Sequence, residues 1–298
     1  MATLASFALG AAACSRGGAS SDPPPPPPPP PSPPRTPTIG ALSSCERQPF
    51  APTIPIAEAS GAQWMPDGTI LVVSDSGNGG AFVTIDGGDG HVVASGKLPL
   101  GGPGDDLEGL AGADGMIWAI TSSGWMRAWT PRASGKHAYE LAVHAYPIDP
   151  DDECTVDAVN CGNNYEGLCL MPAASAALGG CAGYAASKAS GDLVCLVRDD
   201  DGRYVAAPER RIHVSGREAL AACDLAADGT IWTGDNLFGR SVVRRVSGGE
   251  VVDSAALGAG FPEAMTVAPD GTIYRFSDTG GAPSVVAKYR CTGAASQP

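Results

Sequence analysis

Apolar and polar positions alternate along most of this chain in short stretches, and the stretches recur. Four segments align without gaps: DGTILVVSD (67–75), DGMIWAITS (114–122), DGTIWTGDN (228–236) and DGTIYRFSD (270–278). Each opens on Asp-Gly, a tight-turn signal, and continues into a β-branched and aromatic strand. Each follows another apolar strand that carries a Glu: AEASGAQWM, DLEGLAG, REALAACDL and PEAMTVA. A fifth, weaker copy has NYEGLCLM as its first strand and CAGYAASK (181–188) as its second. Later strands such as AFVTID, DLVCLVRD, SVVRRV and SVVAKY alternate in the same way.

Units of about 42 to 58 residues, each with three or four strands, predict an all-β fold: a β-propeller of five blades, with six as the alternative. A pair of β-sandwiches would not need Glu and Asp-Gly to recur in register. The last unit lacks an outer strand after SVVAKYRC, and the segment after Cys45 (RQPFAPTIPI) precedes the first unit. Pairing the two would close the ring.

Composition agrees. The 298 residues include 40 Gly and 27 Pro, which suits many short strands joined by turns. The net charge of −13 and only four Lys argue against nucleic-acid binding, which calls for a basic stripe. No apolar run reaches the length of a transmembrane helix.

The N-terminus reads as a delivery segment. Leu4 to Ala13 is apolar and ends in small residues ahead of Cys14. That order predicts a signal peptide over 1–13 and a lipid-carrying cysteine at Cys14, with an ordinary cleaved secretory signal as the alternative. Nine prolines, Pro23 to Pro31, follow. Proline fixes φ and lacks an N–H, so this run predicts extended polyproline II within a linker over 14–44, a spacer between membrane and propeller (45–298). The expected location is the bacterial outer membrane or cell surface, or else the periplasm or the medium.

Setting Cys14 aside leaves Cys45, Cys154, Cys161, Cys169, Cys181, Cys195, Cys223 and Cys291. An even set in an exported chain predicts four disulfides, whereas zinc would need close pairs such as C-x-x-C. Cys45 and Cys291 bracket the domain, and Cys154 and Cys161 would close a small ring in an acidic loop. The other four cysteines allow several pairings.

Blade geometry turns the repeat into a site. The first strand lines the channel and the second returns, so the start of one meets the end of the other on one face. The first position holds Glu58, Glu108, Glu166, Glu218 and Glu263, one per blade. The second, eight residues after the turn Asp, holds Asp75, Ser122, Asn236 and Asp278, with Lys188 in the weak blade. Clustered carboxylates repel and are relieved by protonation, by Lys188 or Arg, or by a cation. Oxygen ligands of this kind suit Ca²⁺ or Mg²⁺ rather than zinc. The competing role for each Glu is to cap backbone N–H groups and hold the blades in register. Trp118, Trp232 and Tyr274 share one strand position and read as blade packing.

Asp106-Leu-Glu-Gly-Leu110, Asn164-Tyr-Glu-Gly-Leu168 and the DGTIW-type strands resemble the SdiA-regulated and esterase-like-phytase group of propellers, and more distantly the NHL and gluconolactonase-type propellers. The resemblance spans roughly residues 55 to 290. It implies that Glu108 and Glu166 face the channel and that calcium binds on the channel face. The gluconolactonase-like members imply a Glu, Asn and Asp set around a divalent metal, for which Glu108 or Glu166, Asn236 and Asp278 are the candidates here. Phosphate cleavage calls for basic residues beside the metal, where the chain offers Lys188.

No G-x-S-x-G elbow and no P-loop occurs. The expectation is therefore a monomeric, lipid-anchored envelope propeller that binds a small molecule, glycan or protein on its channel face, with Ca²⁺ as a candidate cofactor. A metal-dependent lactonase or phosphoesterase is the alternative. An envelope scaffold without a small-molecule site is the third reading.

Overall fold

The computed structural model describes residues 40–132, 137–171, 178–226, 228–236, 241–258 and 260–292, all within the compact unit Thr36–Pro298. The signal segment, Cys14 and the proline run lie outside the described residues.

Twenty-one strands among these residues form five antiparallel sheets. The first blade is β3 (Ala59–Trp64), β4 (Thr69–Ser74), β5 (Ala81–Asp86) and β6 (Val92–Lys97). The second is β7 (Leu107–Ala113), β8 (Met116–Thr121), β9 (Trp125–Pro131) and β10 (Tyr139–Pro147). The third is β11 (Tyr165–Leu170), β12 (Gly183–Ser187), β13 (Asp192–Arg198) and β14 (Tyr204–His213). The fourth is β15 (Leu220–Leu225), β16 (Ile231–Asp235), β17 (Val242–Ser247) and β18 (Glu250–Ala256). The fifth joins β19 (Phe261–Val267), β20 (Ile273–Asp278) and β21 (Ser284–Cys291) to β1 (Cys45–Gln48), with β2 (Thr53–Ile54) also on β21. This is the five-bladed propeller that the repeat predicts.

Strand composition follows radial position. β4 and β12 are buried at every residue and read as continuous apolar runs, because neighbouring blades cover both faces. β10 and β18, at the rim, show one face to solvent and alternate. Each pair of adjacent blades encloses its own apolar core. Trp118, Trp232 and Tyr274 fill equivalent places in three of these cores and are almost fully buried.

The two ends of the ring close as one sheet. Cys45 stands opposite Cys291 in the β1–β21 ladder, and the two are disulfide-bonded. Cys154 bonds to Cys161. The pairings left open are Cys169–Cys223, which ties β11 to β15 across the channel wall, and Cys181–Cys195 within the third blade. Four disulfides fit a chain that works outside a reducing cytoplasm.

The axis itself is closed by small residues. Gly61, Gly109, Gly167, Ala222 and Ala264 occupy one level of the five inner strands. A Cβ on Gly109 would sit 2.4 Å from Leu168 N, and one on Gly167 would sit 2.6 Å from Cys223 N. The inner backbones approach so closely that the cavity left on the axis is about 10 Å³, barely room for one water.

Candidate functional site

A β-bulge interrupts every inner strand at the same level. Register slips between Ala59 and Gly61, Leu107 and Gly109, Tyr165 and Gly167, Leu220 and Ala222, and Pro262 and Ala264. The extra residues are Ser60, Glu108, Glu166, Ala221 and Glu263. A bulge re-aims its side chain; Ser60, Glu108 and Glu166 line the axial cavity. The Glu-Gly pair of both E-G-L motifs thus has two tasks. The Glu is the bulge residue, and the Gly admits the neighbouring backbone.

This register sorts the five predicted glutamates. Glu108, Glu166 and Glu263 are bulge residues. Glu58 lies two residues ahead of its bulge with φ +51°, and its Oε2 accepts a hydrogen bond from Asn78 Nδ2 at 3.0 Å. Glu218 lies three residues ahead, exposed, with φ +60°, and its N–H donates to the Lys188 carbonyl. The second-strand positions keep one register in all five blades: Asp75, Ser122, Lys188, Asn236 and Asp278 each follow directly on the residue paired with the last inner-strand residue before the bulge.

Three carboxylates converge. Ligand oxygens of Asp75, Asp106 and Glu108 all lie within 4.8 Å of one another. Asp106 was not singled out in the sequence. It stands two residues before Glu108, as Asn164 stands two before Glu166, and this shared [D/N]-x-E-G-L spacing was the available signal. Both the N–H and the hydroxyl of Ser122 donate to Asp106 Oδ2. Asp106 Oδ1 is buried and has no hydrogen-bond partner. Burial pushes Asp106 up to about 6, against the pull of the Ser122 bonds, and the charge of Asp75 adds to the rise. Glu108 is held well above the usual carboxylate range by burial and by the charges of Glu166, Asp75 and Asp106; the Ser60 hydroxyl donates to its Oε2.

Beside this group sits a cation. Lys188 Nζ lies 3.1 Å from Glu166 Oε1 and 3.7 Å from Glu263 Oε1. Burial raises Glu166 to about 7 although Lys188 opposes the rise, and Glu263 moves in the same direction for the same reasons. Burial works against the charge of Lys188, but the two glutamates outweigh it and raise the ammonium above its ordinary value. Asn236 Nδ2 donates to Glu263 Oε1 at 2.7 Å, while its Oδ1 is buried without a partner. Asp278 Oδ1 accepts from Gly280 N at 2.7 Å. Of the predicted metal set Glu108, Glu166, Asn236 and Asp278, Glu108 therefore belongs to the tight group of three. Glu166 pairs with Lys188, and Asn236 pairs with Glu263.

Two facing carboxylates without a donor between them need a shared proton or a cation. Hard oxygen ligands at this spacing can hold a divalent ion.

No family model matches the chain, and no curated protein matches it. Solved structures do. The glutaminyl cyclase of Myxococcus xanthus superposes with a TM-score of 0.53 at 14% identity, covering 83% of this chain and 97% of that one. The PQQ-bound aldose sugar dehydrogenase of Streptomyces coelicolor gives 0.48 at 15% identity over 84% and 99%, and a streptogramin B lyase gives 0.41 at 16% over 87% and 77%. These neighbours are β-propellers, and the first of them bears on the fold alone.

Proposed function

We propose that the mouth of this propeller is a ligand-binding site built around a divalent cation, Ca²⁺ by its ligand chemistry, held by Asp75, Asp106 and Glu108. The observation that carries this reading is Asp106. One of its oxygens is saturated by two donors. The other is buried with no donor on it, and the Asp106 carboxylate lies against two more. A cation there removes the mutual repulsion and presents open coordination positions at the mouth. The ligand is a small molecule, glycan or protein group bearing an anionic or strongly electronegative oxygen that completes the cation's coordination. On this reading the chain is an exported, monomeric envelope lipoprotein of the SdiA-regulated and esterase-like-phytase kind, anchored through Cys14, with the Pro-rich linker as spacer.

Calorimetric titration of chelator-treated full-length protein with Ca²⁺, Mg²⁺ and Zn²⁺ tests the site. The expected result is tight Ca²⁺ binding that raises the melting temperature and is lost in Asp106→Asn. No binding at millimolar cation would sink the proposal.

A second reading is a metal-dependent hydrolase of lactones or phosphoesters. It is favoured by Glu166, a buried carboxyl at about 7 beside the acid cluster, which suits a general base near neutral pH. Chelator-sensitive turnover that disappears in Glu166→Gln would support it.

A further inference from the structure

Residues 148–164 join β10 to β11, and this connection carries the Cys154–Cys161 bridge, a separation of seven residues. The bridged segment is pinned at two points. Trp125 Nε1 donates to the Cys154 carbonyl at 3.0 Å, and the Asn160 N–H donates to Ser122 Oγ at 2.9 Å. It also lies against the second blade's entry, where a Cβ on Gly104 would meet the Val156 carbonyl oxygen. Asn160 inside the ring and Gly162 just beyond it both have positive φ, 52° and 61°, so the chain turns sharply on either side of Cys161.

The Asn160 contact decides where a proton goes. A serine hydroxyl has one proton to give and lone pairs to receive. Ser122 is fully buried, so water does not compete. The Asn160 N–H is a donor and must be met by a lone pair, which leaves the hydroxyl proton for Asp106 Oδ2. Ser122's own N–H reaches the same oxygen at 3.1 Å. Oδ2 is thereby fully used, and Oδ1 is the oxygen left without a donor.

We propose that the Cys154–Cys161 ring is a positioning element of the cation site: it sets the Asn160 N–H on Ser122, which commits the Ser122 proton to Asp106 Oδ2 and reserves Oδ1 for the cation. This inference rests on the cation reading above. Asn160 and Ser122 touch no cation; they act through Asp106. Without the bridge, the exposed segment must be ordered at the expense of binding energy.

The test is a cycle of Ca²⁺ titrations on the full-length protein, with thermal melts in chelator to check that each variant folds. Cys154→Ser/Cys161→Ser and Ser122→Ala should each weaken Ca²⁺ by about tenfold, the weight of one hydrogen bond to a charged group. Combining them should weaken it no further than Ser122→Ala alone, because both act through one proton. Asn160→Gly, which keeps both the N–H and the positive φ, is the control and should bind Ca²⁺ as the wild type does. Wild-type affinity in the double cysteine variant would overturn the inference, as would additive losses in the combined variant. A wild-type protein that binds no cation would instead overturn the underlying cation reading, so the two failures are separable.

Discussion

Lys188 Nζ lies 3.1 Å from Glu166 Oε1, and the two side chains keep only 20% and 4% of their exposure. Removing one partner of such a pair strands the other in a dry site. Lys188→Met should cost about 3 kcal/mol at pH 8, where Glu166 would have to remain charged or take up a proton against the pH. The loss should shrink at pH 5, where Glu166 is protonated in any case. Urea unfolding at the two pH values measures this, and an equal loss at both would contradict it.

The acid cluster sets the pH dependence of the cation-free protein. Folding raises Asp106 and Asp224 from 3.8 to about 6 and Glu166 from 4.5 to about 7. The folded state therefore binds more protons than the unfolded chain between about pH 4 and 7, and stability falls as pH rises through that window. For Asp224, half-buried at the far end of β15 where it accepts from Val267 N and Thr266 Oγ1, the effect is on the order of 3 kcal/mol. Melting temperature in chelator should drop from pH 5 to pH 7, and Ca²⁺ should restore it at pH 7. A rise over that interval in chelator would refute the assignment.

Close approach at the axis makes its glycines irreplaceable. Gly109→Ala puts a methyl 2.4 Å from a backbone nitrogen, which no rotamer relieves. A loss of about 3 kcal/mol or more is expected. Gly102→Ala, with nothing within 4 Å of the new methyl, is the control and should be near neutral. Thermal melts of the pair decide the point.

The Cys45–Cys291 bridge spans a sequence separation of 246. Chain entropy alone credits a bridge of this length with about 5 kcal/mol. Cys45→Ser/Cys291→Ser should lower stability by about 2–5 kcal/mol yet leave a folded ring, because β1 and β2 still pair with β21. Circular dichroism in denaturant would show whether the sheet survives.

The second-strand residues were legible because a two-stranded turn fixes register: eight residues after each turn Asp, the chain always returns to the same face. That rule placed Asp75, Ser122, Asn236 and Asp278 in full. The inner strands hid more. Their bulges add a residue, and the entry before each bulge varies, so Glu58 and Glu218 share a residue type with Glu108 but not its level. Asp106 escaped notice because it aligns with Asn164 and Glu58, three different residue types at one position. Cys169–Cys223 and Cys181–Cys195 could not be assigned because spacing carries no information about which blades touch.

Ring closure also orders events in time. The outer strand of the fifth blade is made first and its partner strand last, so Cys45 must stay unpaired while Cys154 to Cys223 emerge from the ribosome. Any nascent chain short of Cys291 lacks a closed ring, and with it the assembled mouth. Only a chain synthesised through its last blade can assemble that mouth.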